Sequence, residues 1–271
     1  MADRASANAF QKRLSTLVFI LVICSNSGLS QTAITSAGQK IEVLSQRLTS
    51  GDVEQRRDAA LQLGLMRTRP ASRAALPGLS DEVPIIRATA AGAVAYLGDD
   101  NAAEALTKLL TDKYPFVRRE ATYSLGLTHN RKATSAVMGV LLKDRNEEVR
   151  AAAAVALGEL RDETAVPLLV SIISPSQTHD AKGKVKPERN SFVLRAAATS
   201  LGQIRSRAAT GALIFALQNE KYSSDVKREA ATALGSIGDP AAMNALRITA
   251  QSEDPYLATA AQESLKKLSH K

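Results

Sequence analysis

The chain has 271 residues, a formal net charge of +8, one cysteine, no tryptophan, and five each of phenylalanine and tyrosine. A lone cysteine excludes an intramolecular disulfide framework, and 45% hydrophobic content excludes global disorder. Alanine and leucine are the commonest residues; that bias, with few aromatics, excludes a sheet-based enzyme fold and leaves an all-α protein.

The first thirty residues read as an address. Met1 to Arg13 is polar, with Arg4, Lys12 and Arg13 against Asp3. The apolar run Leu14 to Cys24 follows, then the small and polar residues Ser25 to Ser30. A basic head, a short apolar middle and a small-residue exit form the layout of a secretory signal peptide. The run is far shorter than the roughly 20 residues that span a bilayer core. The expectation is a signal peptide over 1–30, cleaved after Ser27 or Ser30, and a short linker over 31–40. The mature chain is then secreted or periplasmic with no stable membrane span, an uncleaved N-terminal anchor being the alternative. Leu21-Val22-Ile23-Cys24 resembles a bacterial lipoprotein box, but Ile23 stands where a small residue is expected, which argues against lipidation. Losing residues 1–30 removes three basic and one acidic residue and lowers the net charge to +6.

Beyond the leader, one frame recurs seven times. With position zero at Arg56, Arg87, Arg118, Arg150, Leu194, Lys227 and Ala258, position +3 is alanine in every copy: Ala59, Ala90, Ala121, Ala153, Ala197, Ala230 and Ala261. Position +7 is aliphatic in every copy: Leu63, Val94, Leu125, Leu157, Leu201, Leu234 and Leu265. Positions −1 and +10 are apolar in all but one copy each, Gln55 and Thr128. Steps of four, four and three keep these side chains on one face of a helix, so they form the candidate core. Position +8 is glycine at Gly64, Gly126, Gly158, Gly202 and Gly235, which points to a close backbone contact or a helix end. Pro84, Pro115 and Asp254-Pro255 mark helix starts. A second apolar-striped helix precedes each copy, over about 41–49, 70–79, 102–111, 132–143, 163–173, 207–218 and 240–251. Seven antiparallel helix pairs over 41–269 make an α-solenoid, in which each pair is stabilised by its neighbours. Ala258 and Lys266 depart from the frame as a terminal cap would.

This frame, with Leu97-Gly98-Asp99 and Ile237-Gly238-Asp239-Pro240-Ala241 between pairs, resembles the HEAT repeat, and within it the short bacterial subtype first associated with phycobilin lyases. Copy two departs at Ala95, which replaces the glycine. The resemblance implies a superhelix whose second helices line the inner curve, and it says little about function. It also implies a weaker alternative, a lyase-like enzyme.

Two irregularities remain. Residues 174–190, between the helices of the fifth pair, form an insertion with Lys182, Lys184, Lys186 and Arg189 against Asp180 and Glu188; such a loop is either a tolerated solvated excursion or a contact surface. Arg56, Arg87, Arg118, Arg150 and Lys227 recur at one helix position and line up along the stack. They form either a free basic strip or a set of structural pairs with acidic groups of adjacent turns, for which Asp81, Asp112, Glu147 and Asp225 are candidates. His129, His179 and His270 do not cluster, no nucleotide, serine-hydrolase or zinc-protease motif appears, and no cofactor or metal is expected. The reading is an exported, non-enzymatic scaffold that binds a protein or peptide partner on its concave surface. Its contact candidates are Arg118, Tyr123, Arg150, Arg195, Lys182, Lys184 and Lys186. The alternative is an anionic polymer or nucleic acid on the basic strip, against which export, the absent tryptophan and the modest charge all weigh.

Overall fold

The computed structural model describes residues 36–175 and 188–269. Among them there is no strand, and fourteen α-helices follow one another as seven pairs. The first helices are α1 (36–48), α3 (Arg69–Ala75), α5 (Asp100–Lys108), α7 (Thr134–Lys143), α9 (Val166–Ile173), α11 (Thr210–Gln218) and α13 (Met243–Thr249). The second helices are α2 (Val53–Met66), α4 (Pro84–Val94), α6 (Pro115–Leu127), α8 (Glu147–Leu160), α10 (Ser191–Ile204), α12 (Ser224–Ile237) and α14 (Pro255–Ser269). Tight 3-10 turns extend six of the first helices at one end, as at Leu76–Ser80 and Arg131–Ala133. The pairing expected from the frame is therefore the pairing observed. One boundary differs: α1 starts at residue 36, inside the stretch read as a linker. Residues 36–40 are exposed all round, so no apolar stripe announces that first turn.

Six second helices start at a side-chain cap or a first-turn proline, whereas α12, after Ser223, has neither. Asp52 accepts from the backbone N–H of Glu54 and Gln55, Asn146 from Val149, Asn190 from Phe192 and Val193, and Asp254 from Tyr256 and Leu257. Pro84, Pro115 and Pro255 take the first helical position, where the missing N–H leaves no bond unmade. Six second helices are followed by a residue in the left-handed region, always eleven residues past position zero: Arg67, Gly98, His129, Arg161, Arg205 and Gly238. That position turns the chain into the next pair.

The second helices pack side by side in chain order, and the first helices pack on one side of that layer. All seven +3 alanines are fully buried, as are the +7 residues of the first six copies. Leu265, in the last described helix, is half-buried against the core. The glycines at +8 explain how alanine came to dominate: successive second helices touch backbone to backbone. A Cβ built on Gly126 would lie 2.7 Å from Cα of Ala156, and one on Gly202 would lie 2.8 Å from Cα of Ala233. Gly158 faces the side chains of Gln203 and Ser200, and Gly235 faces Ser264; the Ser200 hydroxyl donates to the Ala154 carbonyl at 2.7 Å. The first step is looser, since a Cβ built on Gly64 would lie 3.3 Å from the Ala93 Cβ. At the second, Ala95 ends the α-helix and the chain tightens into a 3-10 turn over Ala95–Leu97.

These contacts give opposite signs to two formally identical substitutions. Gly126→Ala forces a methyl into the α8 backbone and should destabilise by about 1–3 kcal/mol. Gly139→Ala, in α7 with nothing within 4 Å of the new Cβ, should stabilise by up to about 1 kcal/mol. Urea denaturation of the two variants beside the parent chain checks both signs.

Candidate functional site

The recurrent arginines are the links between turns. Arg56 Nε donates to Asp81 at 2.7 Å, Arg87 to Asp112 at 2.7 Å, Arg118 to Asp144 at 2.6 Å, and Arg150 to Glu188 at 2.9 Å. Nη1 of each guanidinium also donates to two carbonyls of its own pair's turn: Ser50 and Gly51, Asp81 and Glu82, Asp112 and Lys113, Asp144 and Arg145. The second oxygen of each carboxylate accepts a backbone N–H two residues on, from Val83, Tyr114, Asn146 and Asn190. Every arginine thus ties its own turn to the next one, and each aspartate in the middle of the chain serves two rungs. Burial works against ionisation of Asp112, Asp144 and Glu188. The guanidinium hydrogen bonds, the backbone N–H donors and the flanking positive charges outweigh it, so all three carboxyls sit below the usual carboxylate range.

Of the acidic partners expected from the sequence, Asp81 and Asp112 take part. Glu147 is an exposed residue of the first turn of α8, and Asp225 bonds Arg228 three residues on. Asp144 and Glu188 stand in their place. The acid always lies six residues before position zero of the following copy, a turn position outside the helical frame. Where copy five has Leu194 instead of arginine, copy six has Lys221 instead of an acid, and the ladder stops. There the Tyr222 hydroxyl donates to the Ile173 carbonyl at 2.7 Å and joins the same two turns.

Arg118 and Arg150, expected among partner contacts, are therefore largely buried donors within the stack, with 15% and 20% of their side chains accessible. They present no free strip. Tyr123 is exposed on α6, and Arg195 of α10 lies 5.5 Å from the centre of the Phe192 ring. Lys182, Lys184 and Lys186 lie outside the described residues, as do the leader, Cys24, His179 and His270. His129 sits after α6 with Nδ1 3.0 Å from the Glu159 carbonyl. Among the described residues no group of His, Cys, Asp and Glu could hold a metal, and no helix is long and apolar enough to cross a membrane.

The feature that sequence reading missed is a second stripe on the second helices, opposite the core, at positions −2, +2, +5 and +9. In copies one to three it carries Leu61, Leu65, Ile85, Tyr96, Phe116, Tyr123 and Leu127. From copy four onward it carries mostly polar groups such as Glu148, Glu159, Gln203, Asp225 and Thr232. Leu61, Leu65, Ile85, Tyr96 and Tyr123 are exposed, Leu65 to 70%. Together with Phe116 and Leu127 they line a groove of about 430 Å³ across α2, α4 and α6. The groove's charges are Arg67, Arg119 and Glu120. Arg67, held in the left-handed position after α2, lays its guanidinium 5.6 Å from the centre of the Tyr96 ring. Arg119 bonds Glu148 at 2.6 Å. Glu120 is half-buried and points over Gly92, where a Cβ would lie 3.1 Å from its carboxylate. Burial pushes the Glu120 carboxyl up, and the charge of Arg119 offsets this in part.

A family model for HEAT repeats matches residues 41–126, 109–182 and 188–266. The chain belongs to the HEAT-repeat family. Among solved structures it is similar to the complex of CpcE and CpcF of phycocyanin lyase from Nostoc sp. PCC7120, with 24% identity, 85% of this chain and 88% of that chain covered, and a TM-score of 0.52. It is also similar to human deoxyhypusine hydroxylase (18% identity, 88% and 99% covered, TM-score 0.42) and to an engineered protein (21%, 85% and 96%, TM-score 0.47). At these identities the likeness concerns the fold alone. No curated protein matches the chain.

For this HEAT-repeat stack the ladder has a measurable consequence. Arg118→Met strands a buried carboxylate and should cost about 3 kcal/mol, whereas the double variant Arg118→Met/Asp144→Leu should recover most of the loss. The carboxyls of Asp112, Asp144 and Glu188 titrate lower in the folded chain than in the unfolded one, so their contribution is complete above the unfolded pKa of about 4. It is lost as pH falls through the folded values. Urea midpoints between pH 7 and pH 3 should therefore drop more steeply for the parent chain than for the double variant.

Proposed function

We propose that this HEAT-repeat protein is an exported, non-enzymatic scaffold that binds a protein or peptide partner along the face of its second helices. One observation carries the reading: the surface stripe of α2, α4 and α6 carries seven apolar or aromatic side chains that line a single groove, while the equivalent stripe of the later copies is mostly polar, with Phe192 and Tyr256 among its exposed exceptions. The fold needs no such surface, because the core stripe and the ladder lie elsewhere on the same helices and the seam contributes only Gly64 and Ala93 to the groove's lining. The groove has the volume of a binding site and a small number of polar groups among apolar ones. Its aromatic and arginine content is that of an energetically dominant interface patch. Export is supported by the pattern of residues 1–30 alone.

Two measurements test the two halves of this reading. Ile85→Glu and Tyr123→Ala change exposed side chains, so each should shift stability by no more than about 0.5 kcal/mol. Each should also release the partner captured by the parent chain from the extracytoplasmic fraction, with affinity reduced at least about tenfold. Ile248→Glu, on an exposed position of α13, should leave capture unchanged; equal capture by all four chains would refute groove binding. N-terminal sequencing of the exported product should read from Gly28 or Gln31, and a product retaining Met1 would refute cleavage.

A further inference from the structure

Resting on the reading of this groove as a docking face, we infer the chemistry of its occupant: a linear peptide segment in which a lysine or arginine is flanked by apolar residues. The cation seats against Glu120, and the flanking side chains cover Ile85 and Leu65. Glu120 is the reason. Its carboxylate is half-buried in the groove and makes no hydrogen bond or ion pair with any other described residue. The neighbouring cation, Arg119, directs its guanidinium to Glu148 instead. Gly92 beneath keeps the space the carboxylate occupies, since a side chain there would begin 3.1 Å from its oxygen.

An acid half-buried in an apolar groove without a hydrogen bond or ion pair, its burial offset only in part by the neighbouring Arg119 charge, costs folding free energy unless something else compensates it. The raised titration of Glu120 shows the same imbalance. The aromatic rings beside it suit the same ligand, because their faces attract cations within about 6 Å. Arg67 already uses the face of Tyr96 and Phe116 packs on Tyr114, which leaves the exposed Tyr123 for an incoming side chain. The groove's two arginines are exposed at the surface, whereas its half-buried charge is the carboxylate. Charge complementarity therefore favours a basic segment over an acidic one, and complementarity of this kind selects partners more than it adds raw affinity. Flanking apolar side chains supply the affinity by covering the exposed stripe.

The test uses a phage-displayed library of random linear dodecapeptides, selected on the immobilised full chain and counter-selected on its Ile85→Glu variant. The expected winners carry lysine or arginine between apolar residues. A fluorescein-labelled winner should bind Glu120→Gln at least about tenfold more weakly than the parent chain. Replacing its basic residue with glutamine should weaken binding to the parent by a similar factor, and combining both changes should add no further loss, as a direct contact requires. Winners that are acidic or indifferent to charge, or a Glu120→Gln chain that binds as tightly as the parent, would overturn the cation contact while leaving the groove reading intact. Absence of enrichment, or winners that bind Ile85→Glu as well as the parent, would overturn both.

Discussion

The closeness of successive second helices is the constraint from which the rest of this structure follows. Two helices whose backbones touch admit only alanine, serine or glycine between them, and that requirement recurs at Ala121, Ala153, Gly126, Gly158 and Ser200. With small residues in the seam, dense packing takes the place of large side chains, and the aliphatic residues at +7 of the first six copies are buried beside it. No pair has enough apolar surface to fold alone, so stability resides in the interfaces between pairs. The same constraint explains where the surface opens. The seam is tight from α6 to α14 but looser at Gly64, and it lacks its glycine at Ala95. The groove lies over α2, α4 and α6, above those two steps.

Each second helix divides its circumference among separate tasks. The −1, +3, +7, +10 stripe holds the stack together, and in copies one to four position zero carries the arginine that links adjacent turns. The residue after the helix takes the left-handed conformation, and the remaining stripe is left to face outward. That an arginine at 67 occupies a backbone position better suited to glycine connects two of these tasks. The strained position aims a guanidinium across to Tyr96 of the next copy, so the turn that ends one repeat also furnishes the wall of the groove on the following one. The ladder has a comparable economy. Asp81, Asp112 and Asp144 each receive one arginine through the side chain and the next through the main-chain carbonyl, so rungs are coupled rather than independent.

Much of the architecture was legible in the sequence because helical periodicity reports which side chains share a face. The seven alanines, the +7 stripe, the proline starts and the helix pairs all follow from that one signal. Glycine at +8 implies a close contact or a helix end, and the structure assigns it to contact, with the helix end three residues later, as at Gly98 and Gly238. What periodicity does not report is pairing between turns of different copies. Asp144 and Glu188 lie 26 and 38 residues from their arginines, and Glu188 lies within an insertion that hides its register. The signal was nonetheless present: arginine at zero in copies one to four is matched by an acid at −6 in copies two to five, and both cease together at Leu194 and Lys221. The outer stripe escaped notice for a different reason. Leu61, Ile85 and Phe116 resemble core residues until the burial of the opposite face shows that the core is already complete.

If the outer stripe of the first three repeats serves recognition and not folding, its unpaired acid should weigh against the folded state. The thermal midpoint of Glu120→Gln at neutral pH tests this most directly. Because the folded-state titration of Glu120 is raised, its ionisation destabilises the native chain above the unfolded pKa of about 4. The variant should melt higher than the parent at pH 7, with the gap closing as both are brought below pH 4. A lower midpoint for the variant at pH 7 would show that the carboxylate supports the stack and would contradict the separation of folding and binding faces on which this account rests.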